Sequence, residues 1–312
     1  MGIPMLADWG QVRYADGVCR TLSNRDQPMS TIVYILGTSF CGSTLLHTLL
    51  DRHPDVNGFN ELIQLGRYFG EWKDMHHNPL DRPFWQSVRA CYERETGKPF
   101  DQIDLLKAFD VASLKQEQKA NWKQTNEALY DCLFRKTGKS IIVDSSKHAT
   151  RLAMLLQSDY ADSLKVIYLV RDQRAVYASF RKRGNKRLYA LRGLHSHAIR
   201  SERVLRKLPD HQKFHLRYES LVADPEGVLR NLTDFIGVPY TDTMLAPDAE
   251  RDKETIFALG LKGQKMVADA SRSMISPERA KNSDTLSPVD HIFFHVLGGG
   301  LLNLYYGGHE KR

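Results

Sequence analysis

Long uninterrupted apolar runs are missing from this chain of 312 residues. Its best stretch, Ile292 to Tyr306, is broken by His295 and by Gly298-Gly299-Gly300, and a membrane-spanning helix needs about 20 apolar residues in a row. Residues 1–30 hold no apolar core behind a basic start, so no secretory signal is expected. Cysteine is scarce: Cys19, Cys41, Cys91 and Cys132 form no C-x-x-C pair and no metal-ligand spacing. That scatter leads us to expect reduced thiols in a cytoplasmic protein. Internal repeats, low-complexity tracts and metal-binding acidic clusters are also lacking, and no metal is expected. Neither sign of charge dominates. The net charge of +7 points to acidic ligands, but it is too mild and too evenly spread for nucleic acid. The densest basic cluster, Arg181-Lys182-Arg183 with Lys186-Arg187, reads as a solvated helix face.

What is present is organised around residues 31–56. Thr31 to Leu36 is a short β-branched and apolar run, the signature of a strand buried on both faces. Gly37 opens a loop, Gly42 closes it, and Ser43 to Leu50 has the length and apolar content of a helix. His53-Pro54 stops that helix, because the residue before proline is pushed out of the α region. A glycine-bounded loop between a strand and a helix start makes an anion site: the first helical amides lack internal acceptors, and the macrodipole is positive there. The spacing G-x-x-x-x-G-S-T is that of a P-loop, with Ser43 where a nucleotide triphosphatase carries lysine. A phosphate is expected; γ-phosphoryl transfer is disfavoured.

Further along, residues 62–139 change character, with helical patterns separated by turns at Asn78-Pro79, Gly97-Lys98-Pro99 and Gly138. The segment is rich in aromatics: Trp72, Phe84, Trp85, Tyr92, Phe100, Phe109, Trp122 and Tyr130. An insertion between two parallel strands lies above their carboxyl ends, where ligands bind. We assign it as an acceptor-binding cap, although packing among its own helices accounts for any single one of these rings. Ser140 to Val143 is a second strand, with Asp144, Ser145 or Ser146 placed to cap the helix that follows. Leu164 to Val170 is a third strand, handing over to Arg171-Asp172 and a helix through Ser179. A long basic helical pattern runs from Arg187 to Leu208. Lys213 to Tyr218 is a fourth strand, followed by a helix from Asp224-Pro225 to Ile236, ended by Gly237 and Pro239. Residues 240–286 are polar, with one basic, glycine-rich piece around Gly260, Lys262, Gly263 and Lys265. Ser287-Pro288 starts a last helix. Strands alternating with helices argue for one α/β domain over 1–312, a three-layer, mostly parallel sheet of P-loop type with an inserted helical cap and a C-terminal segment over 240–312.

The third strand makes the pattern specific. Tyr168-Leu169-Val170-Arg171-Asp172-Gln173-Arg174-Ala175-Val176-Tyr177-Ala178-Ser179 puts an arginine at a strand end and a serine two helical turns later. With the lysine-less P-loop, this resembles the PAPS-dependent sulfotransferases, in particular the branch holding carbohydrate, tyrosylprotein and many bacterial enzymes. His53-Pro54-Asp55-Val56 is similar to that family's HPxV helix stop. Arg217-Tyr218-Glu219-Ser220-Leu221-Val222 with Asp224-Pro225 is similar to its RYEDLxxDP segment. The likeness covers roughly 31–61 and 140–237.

The resemblance implies a sulfotransferase that moves a sulfuryl group from PAPS (3′-phosphoadenosine 5′-phosphosulfate) to a hydroxyl-bearing acceptor, leaving PAP, without a metal. Gly37, Thr38, Ser39, Phe40, Cys41, Gly42, Ser43 and Thr44 would hold the 5′-phosphosulfate; Arg171 and Ser179 would grip the 3′-phosphate, with Arg183 one turn further on. Tyr218 and Lys265 complete the cofactor-binding set. One departure stands out: Phe40 occupies the position where related enzymes carry a basic residue against the sulfuryl group, so Lys147 becomes the candidate for neutralising the leaving group. Glu61 is the first candidate for the base that takes the acceptor's proton, since it matches the glutamate found shortly after HPxV in the tyrosylprotein relatives, and partial desolvation under an aromatic cap would suit such a base; His148 is the second, because cytosolic relatives use a histidine near the corresponding lysine. His47 and His53 read as structural. Two alternatives stay open: a small-molecule kinase or other nucleotide phosphotransferase, and a non-catalytic PAP- or PAPS-binding protein.

Overall fold

The structure is a computed structural model that describes residues 30–69, 78–103, 115–246, 275 and 286–302. Its centre is β1 (Thr31–Gly37), whose residues alternate between two cores as the pleat requires. Ile32, Tyr34 and Leu36 face one apolar cluster, while Val33 and Ile35 face the other. Burial on both sides explains why the run reads as continuously apolar rather than alternating.

Five strands form one sheet in the order β2 (Val56–Gly58), β3 (Ile141–Lys147), β1, β4 (Leu164–Val170), β5 (Lys213–Arg217), every pair parallel. β1 therefore has β3 on one side and β4 on the other, and the chain turns in opposite directions from it. The carboxyl end of such a strand is where open α/β sheets leave a crevice. The first core is covered by α3 (Pro83–Thr96), α4 (Gln116–Thr137), α5 (Ala149–Leu155), α6 (Gln173–Lys182) and α7 (Arg187–Leu205). α1 (Ser43–Asp51), α8 (Tyr218–Ala223) and α9 (Pro225–Ile236) cover the second. α2 (Leu65–Phe69) precedes α3, and α10 (Pro288–Val296) lies beside α7. Among the described residues, no helix is long and apolar enough to cross a membrane.

Three expectations are corrected. Four strands were expected, and the turn-rich segment after His53-Pro54 adds a fifth. β2 is an edge strand of three residues paired to Ile141–Val143, too short to show a period. The caps expected at Asp144, Ser145 or Ser146 fall inside β3, which runs to Lys147, and His148 is the N-cap of α5. Cys91 and Cys132 are not free thiols. They form a disulfide that joins α3 to α4, their Cα atoms 5.8 Å apart, within bridging range. With that bond, the step from scattered thiols to a cytoplasmic compartment loses its footing. Cys41 is free and buried.

The cap aromatics within the described residues mostly serve packing. Trp85, Tyr92, Phe100, Trp122 and Tyr130 are buried in the first core, whereas Trp72 and Phe109 lie outside the described residues.

With the α3–α4 disulfide in place, thiol titration of the unfolded, unreduced protein should detect two of its four cysteines, and all four only after reduction. Cys91→Ala with Cys132→Ala should cost roughly 4 kcal/mol in urea unfolding, the chain-entropy value for a loop of this size. Four thiols without reductant would contradict the bond.

Candidate active site

Local packing fixes the P-loop. A Cβ at Gly37 would lie 2.5 Å from the Leu169 carbonyl oxygen and 2.9 Å from Cys41 Sγ, so only glycine lets β1 pass β4 here. Gly42 sits at φ 95°, the left-handed region glycine tolerates, and a Cβ there would meet the Tyr218 ring at 2.2 Å. Tyr218 is thus the floor of the loop. Gly42 is also the N-cap of α1, and no side chain caps that end. The first-turn amides and the positive pole of the macrodipole are consequently offered to the loop.

Arg171, just past β4, joins the second expected motif to the first. Its Nη1 donates to the Phe40 carbonyl at 3.0 Å, and its guanidinium lies 4.6 Å from the centre of the Tyr218 ring. Gln173 Nε2 donates to the Arg171 carbonyl at 2.8 Å, and Glu219 Oε1 accepts from the Asp172 amide at 2.9 Å. The ends of β1, β4 and β5 therefore close on one another. Ser179 is half-buried on α6, its hydroxyl donating to the Ala175 carbonyl at 2.9 Å. Arg183 turns to the loop: its guanidinium is 4.8 Å from the centre of the Phe40 ring, which packs edge-on against Phe180 at 4.9 Å.

On the other side of β1, the end of β3 delivers Lys147. The β1–β3 register slips between Tyr34↔Asp144 and Leu36↔Lys147, so β3 carries one extra residue, and Lys147 has φ 63°. Such a bulge re-aims the side chain that follows it. Lys147 Nζ forms an ion pair with Glu61 Oε1, whose other oxygen accepts from Gln64 Nε2 at 3.1 Å. Glu61 reaches that point because the backbone beyond β2 keeps to β3: the Phe59 amide donates to Val143 and the Ser145 amide to Asn60. Ser146 Oγ accepts the Ile63 amide at 3.0 Å.

Three histidines surround this pair. The His148 backbone is held on both sides by the Tyr34 phenol, which accepts its amide at 3.0 Å and donates to its carbonyl at 2.9 Å. Burial lowers the His148 pKa, helped by Arg200 and Arg151, so the ring is neutral near pH 7. His197, which sequence reasoning missed, lies on the inner face of α7, with Nε2 3.2 Å from the Lys147 carbonyl and Nδ1 3.2 Å from Ser201 Oγ. Burial brings its pKa down to about 4. Only the break it makes in the apolar face of α7, between Leu194 and Ala198, could have pointed to it. His47 Nε2 accepts the Asn60 amide at 3.3 Å, and its ring fills the space a Cβ on Gly58 would take. Burial lowers its pKa to about 3. His53 bridges the end of α1 to the Pro239 carbonyl at 2.8 Å.

The structure thus gathers Glu61, Lys147, His148, the loop from Gly37 to Thr44, Arg171, Arg183 and Tyr218 about the ends of four adjacent strands, β3, β1, β4 and β5, with Ser179 on the helix after β4. Lys265 lies outside the described residues. Among the described residues, no group of three or more His, Cys, Asp and Glu has a metal-holding arrangement.

Comparison with known proteins agrees with this geometry. The profile of the sulfotransferase family matches residues 33–242, and the chain belongs to that family. The omega-hydroxy-beta-dihydromenaquinone-9 sulfotransferases of Mycobacterium bovis and Mycobacterium tuberculosis are each 26% identical to it over 270 residues, 74% of this chain and 67% of theirs. The sulfotransferase domain of the curacin biosynthetic pathway shares the fold with a TM-score of 0.55 at 20% identity, over 87% of this chain and 99% of that domain. The sulfotransferase domain of the Synechococcus PCC 7002 olefin synthase does so with a TM-score of 0.51 at 21% identity, over 90% and 98% respectively.

The buried His47 also sets a pH dependence. Its folded pKa of about 3 lies below the free value of about 6.5, so from pH 6.5 downward the unfolded chain takes up a proton that the fold refuses. Stability should therefore fall as the pH drops through this window, by about 3 kcal/mol at pH 4 from this group alone. In His47→Gln, the slope of urea stability against pH should shrink by that amount. An unchanged slope would contradict the assignment.

Proposed function

We propose that this protein transfers a sulfuryl group from PAPS to the hydroxyl of an acceptor by in-line displacement. The observation that carries the reading is the contact of Arg171 with the P-loop. A cation at the end of β4 touches the glycine-bounded loop at the end of β1, which would let the two together hold the 5′ and 3′ groups of one nucleotide.

The residues present fit PAPS. The loop is tight and built on backbone amides, Gly42 lets its backbone pack directly on the Tyr218 ring, and Lys147, Arg171 and Arg183 supply positive charge around it. Loop amides from Cys41 to Thr44, with the Ser43 and Thr44 hydroxyls, would hold the 5′ group; Arg171 and Ser179 would hold the 3′-phosphate. When bound, PAPS supplies an activated sulfuryl group on a phosphate leaving group.

Positioning and charge stabilisation then fall to this chain. Lys147 has three donors, so it can keep Glu61 and still neutralise the bridging oxygen. Glu61, held beside the loop by that same pair, is the candidate to accept the acceptor's proton. His148, neutral and close by in the chain, is the second. Phe40 need not mean a missing charge: its ring carries Arg183, which restores a cation to the loop. That favours catalysis over a purely binding role, and Ser43 in place of the P-loop lysine weighs against a kinase.

Arg171→Ala should weaken PAP binding by more than about tenfold in calorimetry with the fold intact, the worth of a charge-assisted phosphate contact. Unchanged affinity would refute its role. Glu61→Gln should reduce turnover by roughly two to four orders of magnitude while sparing PAP binding; retained turnover would move the role to His148. Arg183→Ala should lower kcat, and adding Phe40→Arg to it should recover part of the loss. No recovery would show that Arg183 does not stand in for a loop cation.

A further inference from the structure

A second surface on this molecule has a chemistry the active site does not explain. α10 is anchored by Phe294, which is buried against Tyr177, and by Asp290, which accepts from Arg181 and Arg187 at 2.8 Å. Its outer stripe is nevertheless apolar: Val289, Ile292, Phe293 and Val296 follow i, i+3, i+4, i+7 spacing, with Ile292 62% and Val296 76% exposed. Leu297 and Leu301, 69% exposed, extend the stripe past the helix.

α7 runs alongside. Arg187 lies over the Phe293 ring at 5.6 Å, and the His195 ring meets the Leu297 carbonyl at 3.0 Å. A groove of about 410 Å³ separates Ile199, Arg203 and Arg206 from Leu301 and Leu302. The exposed face of α7 mixes Leu188, Tyr189 and Ile199 with Arg192, Arg200 and Arg203, and the exposed Lys207 lies just past its end.

The two acidic residues of these helices do not offset that charge. Glu202 is paired with Arg206 at 2.8 Å, and Asp290 with Arg181 and Arg187. The result is a continuous surface of exposed aliphatic and aromatic side chains beside a surplus of arginine and lysine.

We propose that this face docks the protein on an anionic lipid surface. Such a partner uses both halves of the chemistry: acyl chains receive the α10 stripe, and acidic headgroups pair with the α7 arginines. A second copy of this chain would set two basic faces against each other, and a nucleic acid would leave the apolar stripe in water. α7 also connects this surface to the site, since its inner residue His197 contacts the Lys147 carbonyl. A protein docked in this way would work on hydroxyl compounds carried in the bilayer. The docking itself does not depend on the sulfotransfer reading.

Co-sedimentation with vesicles tests the proposal. The protein should bind vesicles of equimolar phosphatidylcholine and phosphatidylglycerol, bind phosphatidylcholine alone far less, and release as salt is raised. Ile292→Glu with Val296→Glu should weaken vesicle binding by roughly tenfold or more. Arg192→Ala with Arg203→Ala should weaken it by about fivefold per charge, the ordinary value for a basic residue at such a surface. These positions are exposed, so the melting temperature and PAP affinity of each variant should match those of the parent. The proposal is overturned if phosphatidylglycerol does not promote binding or if neither pair of substitutions weakens it. It is equally overturned if sedimentation velocity finds a dimer that Val296→Glu dissolves while vesicles are ignored, which would make a second copy the occupant.

Discussion

The buried carboxylate of Asp144 is the constraint around which the rest of the site is built. It accepts from Tyr130 at 2.7 Å and Arg151 at 3.1 Å on one oxygen, and from the Ser146 amide at 2.9 Å and the Ser146 hydroxyl on the other. Arg151 is itself fully buried, reaching Asn126 at 2.6 Å and Tyr130 at 3.0 Å. Burial works against its charge, but Tyr130 and Asp144 outweigh that and raise its pKa. A buried pair of this kind adds little net stability, yet loss of one partner strands a charge at a cost of several kcal/mol. The consequence here is geometric. α4, β3 and α5 are locked at one point, and the Ser146 hydroxyl passes that rigidity to the Ile63 amide beside Glu61. Lys147 and Glu61 meet because Asp144 holds the ends of both segments.

The strain in the backbone lies in the same region. Among the described residues, the non-glycine residues with positive φ are Phe40, Asn60 and Lys147. One is in the P-loop, one precedes Glu61, and one is the lysine that Glu61 binds. Each such residue costs on the order of 1 kcal/mol and persists only where its surroundings impose it. His47 and the β3 bulge impose it at Asn60 and Lys147. At Phe40 the Arg171 contact, the Phe180 ring and the Arg183 guanidinium do so together. The molecule thus spends conformational energy where charge has to be aimed, and its departure from related loops at Phe40 is absorbed by neighbours rather than left as a gap.

The parts legible in the sequence were those set by short-range chemistry. The P-loop followed from a β-branched run, two glycines and a helix stop, and the packing of Gly37 and Gly42 shows why glycine is required. The ends of α9 were readable because Asp224 caps the Gly227 amide at 3.0 Å and Gly237 takes φ 91°. Features that depend on distant partners were hidden. Asp144, Ser145 and Ser146 look like helix caps as free polar residues, but tertiary contacts keep them in a strand. The Cys91–Cys132 bond joins helices whose facing sides no spacing reveals. His197 lies 50 residues from the Lys147 carbonyl it contacts. The aromatics between β2 and β3 were visible as composition, while their role in packing appeared only with their burial.

The account turns on whether one nucleotide is gripped at both ends by the loop after β1 and the arginine after β4. Thermal shift with PAP, ADP and AMP compared at equal concentration asks this most directly, since a ligand stabilises only in proportion to its affinity for the fold. The account predicts a clearly larger rise in melting temperature with PAP than with either nucleotide lacking the 3′-phosphate. Equal shifts for the three, or a preference for ADP in the presence of magnesium, would contradict it.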